Sequence, residues 1–198
     1  HDVRIIIPGY SFFDRSEADS VFDNLKVKMG FKEESLKIKK TFLPDSKVRV
    51  YFAEHPLYTL RAGIYGDHGS HAYRDNHYRF ALLSSAAFYL FNELKWAPDI
   101  IHSHDWPAGL VPSYLKENKR ENRFLTSESV FTIHNTGYQG NFSKHDLHST
   151  GLNWKIVSNR KAHYSDEINF LRTGILNSKA VTTVSPSYAE EIKTEGKG

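Results

Sequence analysis

The sequence predicts an α/β fold: a mainly parallel sheet with helices on both faces and an inserted β-hairpin. Three observations predict it. Short apolar runs at residues 3–7, 99–103, 130–133 and 180–184 read as strands buried among neighbours. In the second half these runs alternate with helical stretches, and strand–helix alternation implies parallel strands joined by crossovers. Between the two halves, Phe80, Leu83, Ala87, Leu90, Phe91 and Leu94 recur at spacings of three and four, the stripe of a long core-facing helix.

In chain order, residues 3–7 (VRIII) form an apolar run interrupted only by Arg4 and closed by Pro8-Gly9, as a central parallel strand reads. No element stands before it to start the sheet, so a preceding strand is expected. Residues 11–24 are polar and read as a loop or a short irregular helix. Leu36, Ile38, Lys40 and Phe42 alternate against Lys37, Lys39 and Thr41, and Val48, Val50 and Phe52 repeat the pattern after the turn residues Pro44, Asp45 and Ser46. Together they predict a β-hairpin. Residues 53–74 have neither period; a loop of that length is usually functional or disordered, and Tyr58, Tyr65 and Tyr73 within it argue against plain disorder.

Asp75 then stands as the N-cap of the long helix, which runs to about Lys95. Residues 96–98 (WAP) end it, DIIHS gives a strand, and a helix follows from about Ala108 to Asn118. After a polar loop, SVFTI is the next strand. Residues 141–165 are poorly periodic, a helix is expected from Asp166 to about Leu176, and AVTTV is a last strand before a helix beginning at Pro186.

Composition narrows the chemistry. A chain of 198 residues, 39% hydrophobic and 25% charged, can bury one sizeable core. A net charge of +3 with scattered basic residues gives little support to nucleic-acid binding; the short cluster Lys37, Lys39 and Lys40 falls in an alternating pattern and reads as a solvated strand face. Cysteine is absent, which excludes disulfides, thiolate metal sites and a cysteine nucleophile. Neither a membrane-spanning run nor a charged-then-apolar leader is expected.

Two strand ends carry polar clusters: His104 and Asp105 after one, His134 and Asn135 after the next. In a parallel sheet such ends share one rim, where ligands of open α/β sheets bind. Three chemistries compete there. Metal binding could use His102, His104 and Asp105, but His102 and His104 fall on one strand face, Asp105 on the other, and no third ligand follows at a usual spacing. Glycoside hydrolysis needs two carboxylates flanking the bond, whereas only Asp105 sits at the expected rim. Group transfer from an activated sugar needs hydrogen bonds from the rim to sugar hydroxyls.

Four segments, DNHYRFALL from Asp75, HSHDWPAGLVPSYLK from His102, VFTIHNTGYQGNF from Val130 and INFLRTGILNSKAVTTVSPSYAEEI from Ile168, occur in this order and together closely resemble the bacterial glycogen synthases and plant starch synthases. The resemblance implies a GT-B enzyme of two Rossmann-like domains. It implies transfer of glucose, with retention of configuration, from ADP-glucose or UDP-glucose to the non-reducing end of an α-1,4-glucan, with no metal or other cofactor. Residues 1–198 would be a single N-terminal, acceptor-side domain, truncated at both ends. The missing C-terminal Rossmann-like domain would be its partner, and the location cytoplasmic, or plastidial in a plant.

The resemblance also implies roles for individual residues. Asp105 of the HDW motif and His134 of the HN motif would line the cleft beside the donor glucose. Asn135 and Gln139 would lie near the sugar and Tyr138 would support the loop; Tyr65 would lie near the glucan acceptor, with Trp106 close by. Two positions depart from the family pattern: Pro107 stands where a second histidine is common, and Glu167 where lysine is common. A stand-alone glucan-binding module or a metal-dependent hydrolase are the competing readings.

Overall fold

The structure is a computed structural model describing residues 1–67, 71–157 and 167–194. Its first sheet has the order β1 (Arg4–Pro8), β4 (Arg49–Glu54), β3 (Lys32–Phe42), β2 (Asp19–Met29). β1 runs parallel to β4, pairing Ile6 with Tyr51, while β3 is antiparallel to both β4 and β2. The expected hairpin is therefore β3–β4, and it forms part of the first sheet.

β2 is a difference from the sequence reading, which placed a loop or irregular helix over much of its first half. The reason is local. β2 meets β3 with register shifts between Ser20 and Phe22 and between Phe22 and Leu25, and its first six residues are exposed or only partly covered. Bulges in a solvated strand erase the period of two on which a strand is recognised. Only Leu25, Val27 and Met29 are fully buried, alternating with exposed Lys26 and Lys28. The hairpin tip uses Gly30 at φ +58°, where an added Cβ would lie 2.3 Å from the His148 carbonyl oxygen.

The second sheet is parallel, in the order β5 (Ile100–His104), β6 (Glu128–Ile133), β9 (Ala180–Thr183). His104 of β5 pairs with Thr132 of β6, and Thr132 with Thr182 of β9, so all three strands end at one rim. A short antiparallel pair, β7 (Asn141–Ser143) with β8 (Glu167–Asn169), ties down part of the poorly periodic segment, which also holds a 3₁₀ stretch at Lys144–Thr150. Residues 158–165 of that segment and Asp166, the expected helix start, lie outside the described residues; Glu167–Asn169, expected as the helix's first turn, instead pair as β8, and the helix begins at Phe170.

Helix α1 (Pro56–Thr59) is a single turn within the tyrosine-bearing loop. α2 (Asn76–Glu93) is the expected long helix, but it is covered on most sides: Ser84, Ser85, Ala86 and Ala87 are buried along with Phe80, Phe88 and Leu90. The small residues let neighbouring elements approach where the sequence stripe alone shows only one apolar face. Asp75 does precede the helix, yet its carboxylate makes no cap bond and instead pairs with Arg61 at 2.6 Å. α3 (Val111–Arg120) follows a 3₁₀ turn at Trp106–Ala108, α4 (Trp154–Val157) is one turn, α5 (Phe170–Asn177) packs on α3, and α6 (Pro186–Glu191) follows β9. Ser185 caps α6 through a bond from the Tyr188 amide. No helix among the described residues is long and apolar enough to cross a membrane.

Candidate functional site

At the end of β5 the chain turns sharply at Asp105, whose φ of +53° and ψ of −178° lie in a region that only glycine enters without strain. Hydrogen bonds hold it there. Its amide donates to the Thr132 carbonyl at 3.0 Å, and its Oδ1 accepts the His134 amide at 2.8 Å and the Asn135 amide at 3.4 Å. One carboxylate oxygen thus clamps the end of β6 to the end of β5. The two polar clusters expected at neighbouring strand ends are joined directly.

The clamp stands at the edge of a cavity of about 720 Å³ walled by Tyr65, Tyr73, Asn76, Asp105, Trp106, Asn135, Tyr138, Gly140 and Phe142, among others. Its walls are aromatic. Tyr65 lies against Trp106 with ring centroids 5.5 Å apart, and Trp106 meets Phe80 edge-on at 4.8 Å. Such faces suit sugar rings, while the Asn135 side chain and the Asp105 carboxylate at the rim can meet hydroxyls. Burial and the nearby Asp105 charge both raise the Tyr65 phenol above its ordinary value, so it remains a neutral donor and acceptor at physiological pH. Trp106 is seated by Gly140, at φ +65°, where an added Cβ would fall 2.5 Å from the indole.

The remaining candidates divide. Asn135 reaches the cavity, and its Oδ1 accepts the Gly137 amide at 2.8 Å, forming an Asx turn that opens the glycine-rich loop. Tyr138 is 71% exposed and lines the cavity. Gln139 does not line it. Its Nε2 donates to the Thr136 carbonyl and its Oε1 accepts from Asn169 at 2.6 Å, tying the loop to the start of α5. His134 stands at the rim with its ring turned to His104, Nε2 lying 3.0 Å from Nδ1 of that residue. His104 is held below the ordinary histidine range by burial, then by neighbouring His102 and His134, with Asp105 opposing. His102 and His104 stack on the same strand face at 4.3 Å. Among the described residues no group of three His, Asp or Glu side chains is arranged to hold a metal ion.

Sequence reasoning missed the residues that shape the wall carrying Tyr65. Fully buried Arg79 on α2 donates to the carbonyls of Leu57 and Ile64 and to Asn76 Oδ1, pinning both limbs of the tyrosine-bearing loop. Asn76 in turn donates to the Tyr65 carbonyl at 2.8 Å. A charged residue inside an otherwise helical run was the available signal, since a buried arginine must find acceptors.

Comparison with known proteins adds an independent line. The family model for the starch synthase catalytic domain matches residues 1–198. A glycogen synthase of Treponema denticola is 43% identical over 98% of this chain and 39% of its own length, and one of Myxococcus xanthus is 38% identical over 100% of this chain and 42% of its own. Among solved structures, the catalytic domain of starch synthase IV from Arabidopsis thaliana, bound to ADP and acarbose, superposes with a TM-score of 0.84 at 29% identity, over 100% of this chain and 41% of that one. The chain spans about two fifths of the length of these relatives.

Proposed function

The chain belongs to the family of starch synthase catalytic domains, and on that premise we propose that the complete protein extends an α-1,4-glucan by transferring glucose from a nucleotide sugar, ADP-glucose or UDP-glucose, with retention of configuration. This segment is then the acceptor-side domain, and a second Rossmann-like domain supplies the nucleotide pocket and the groups that stabilise the leaving diphosphate. Without them the segment alone should show little or no turnover, since that stabilisation supplies orders of magnitude in rate. The ADP and acarbose held by the Arabidopsis structure support a nucleoside diphosphate and a glucan-like sugar as the two ligand classes. No metal or other cofactor is assigned a role.

The observation that carries the reading is the Asp105 clamp at the mouth of an aromatic-walled cavity. Retention through a covalent glucosyl-enzyme would require a carboxylate free to attack the anomeric carbon. Asp105 Oδ1 already accepts two backbone amides, which tether the carboxylate to the end of β6 and so restrict its advance on the anomeric carbon. Front-face transfer fits better. The bond from the anomeric carbon to the diphosphate oxygen breaks as the bond to the acceptor 4-hydroxyl forms on the same face, and the hydroxyl proton passes to the departing diphosphate. His134 hydrogen-bonds the glucose as positive charge develops at its ring, while the Asn135 side chain orients its hydroxyls. Tyr65 and Trp106 offer the acceptor an aromatic wall.

The test is glucan elongation by the full-length protein with each donor, combined with mass spectrometry of the enzyme during turnover. Elongation with at least one donor and no sugar ester on Asp105 is expected. Failure to elongate with either donor would overturn the function, and glucose esterified to Asp105 would overturn the mechanism.

A further inference from the structure

His104 and His134 close two neighbouring strands, and their imidazoles meet. Nδ1 of His104 lies 3.0 Å from Nε2 of His134, with ring centroids 5.3 Å apart. On its other side His104 stacks on His102 at 4.3 Å, the ring planes inclined by 30°. His102 is fixed in turn, its Nε2 lying 2.6 Å from Thr132 Oγ1, which is 2.7 Å from Thr182 Oγ1. The three rings form a row rooted in the parallel sheet, and His134 is its outermost member.

A neutral imidazole carries one N–H and one bare nitrogen, so a bond between two such rings needs the proton on one and the lone pair on the other. The bond therefore admits only complementary tautomers of the two rings and occupies one nitrogen of each. We propose that His104 is a positioning residue, which through this bond fixes the tautomer and orientation of His134 and leaves His134 Nδ1 as the ring nitrogen open to substrate. The inference rests on the reading that His134 hydrogen-bonds the donor glucose. Two protonated rings would face each other donor to donor and lose the bond. Partial burial and the adjacent His102 and His134 disfavour the charged form of His104, while the Asp105 carboxylate opposes them weakly.

The role differs from mere packing in what a substitution removes. His104→Leu keeps the bulk and deletes the nitrogen; His104→Asn places an amide near the former Nδ1; His104→Gln reaches toward the former Nε2 instead. In the full-length protein, His104→Leu should lower kcat by roughly tenfold to a hundredfold, the scale for a misplaced reacting group, with the donor KM little changed. His104→Asn should restore most of that loss and His104→Gln should not. In a His134→Ala background, His104→Leu should have no further effect, because a positioning residue has nothing left to position.

Nitrogen-15 NMR of the full-length protein labelled at histidine, with His134→Ala used for assignment, reads the tautomer without reference to activity. One tautomer of His134 is expected in the parent and a mixture in His104→Leu. The same tautomer distribution in both, or losses of activity that multiply independently in the double variant, would overturn the inference. If His134→Ala alone turned over normally while His104→Leu still released the tautomer, the catalytic reading of His134 would fail and the pairing itself would stand.

Discussion

Asp105 is the residue at which backbone strain and function meet. Its φ and ψ cost of order 1–3 kcal/mol in a non-glycine residue, and three hydrogen bonds across to β6 offset that cost. A glycine would take the turn without strain but could not clamp the His134 and Asn135 amides. The neighbouring histidine gives a pH prediction. The folded-state pKa of His104 lies below its ordinary value of 6.5, so between the two values the unfolded chain binds more protons than the folded one. Stability must then fall as pH drops through 6.5 toward the folded value and be recovered above it. The groups facing that ring are His102, His134 and Asp105. Thermal midpoints measured between about pH 7.5 and 5.5 should fall less steeply in His104→Asn than in the parent; an unchanged slope would mean that this ring does not titrate differently on folding. Residue identity at both strand ends was legible in the sequence because each apolar run stops at a polar cluster. What was not legible is which way each side chain turns: Gln139 is spent inside its loop, Tyr138 faces the cavity, and the His134 ring faces His104.

Among the elements, the parallel strands that carry the site were the easiest to read. β5, β6 and β9 each contain a run of apolar or β-branched residues and are closed by polar residues or proline, although β9 is largely exposed. β2 was hidden by its bulges, and the single turns α1 and α4 are too short to show a period. The loop that seats Trp106 depends on a feature the sequence does show, the glycine at 140. Gly140 combines a positive φ with direct contact on the indole, so Gly140→Ala meets both backbone strain and a clash. It should destabilise the protein by about 1–3 kcal/mol and move Trp106 off the cavity wall. The measurement is a denaturant midpoint followed by tryptophan fluorescence, together with acceptor KM in the full-length protein. A variant with parent-like fluorescence, stability and KM would show that the loop yields freely and that Trp106 is not held by it.

On the scale of the whole molecule, two sheets and the buried helix α2 share one continuous core, and its C-terminal rim gathers the clamp, the histidine row and the aromatic cavity. That gathering follows from the parallel pairing of β5, β6 and β9, which puts their three ends on one side. The chain spans about two fifths of its relatives' length, and on the proposed function this rim is one wall of a cleft that a second domain completes. The claim on which the account turns is that His134 acts on the glucose being transferred. The most direct measurement is steady-state glucan elongation by full-length parent and His134→Ala. An interaction that strengthens in the transition state should appear in kcat, with a loss of roughly a hundredfold to a thousandfold and a modest change in donor KM. Near-normal turnover in His134→Ala would contradict the claim and return this histidine to a loop residue held by its neighbours.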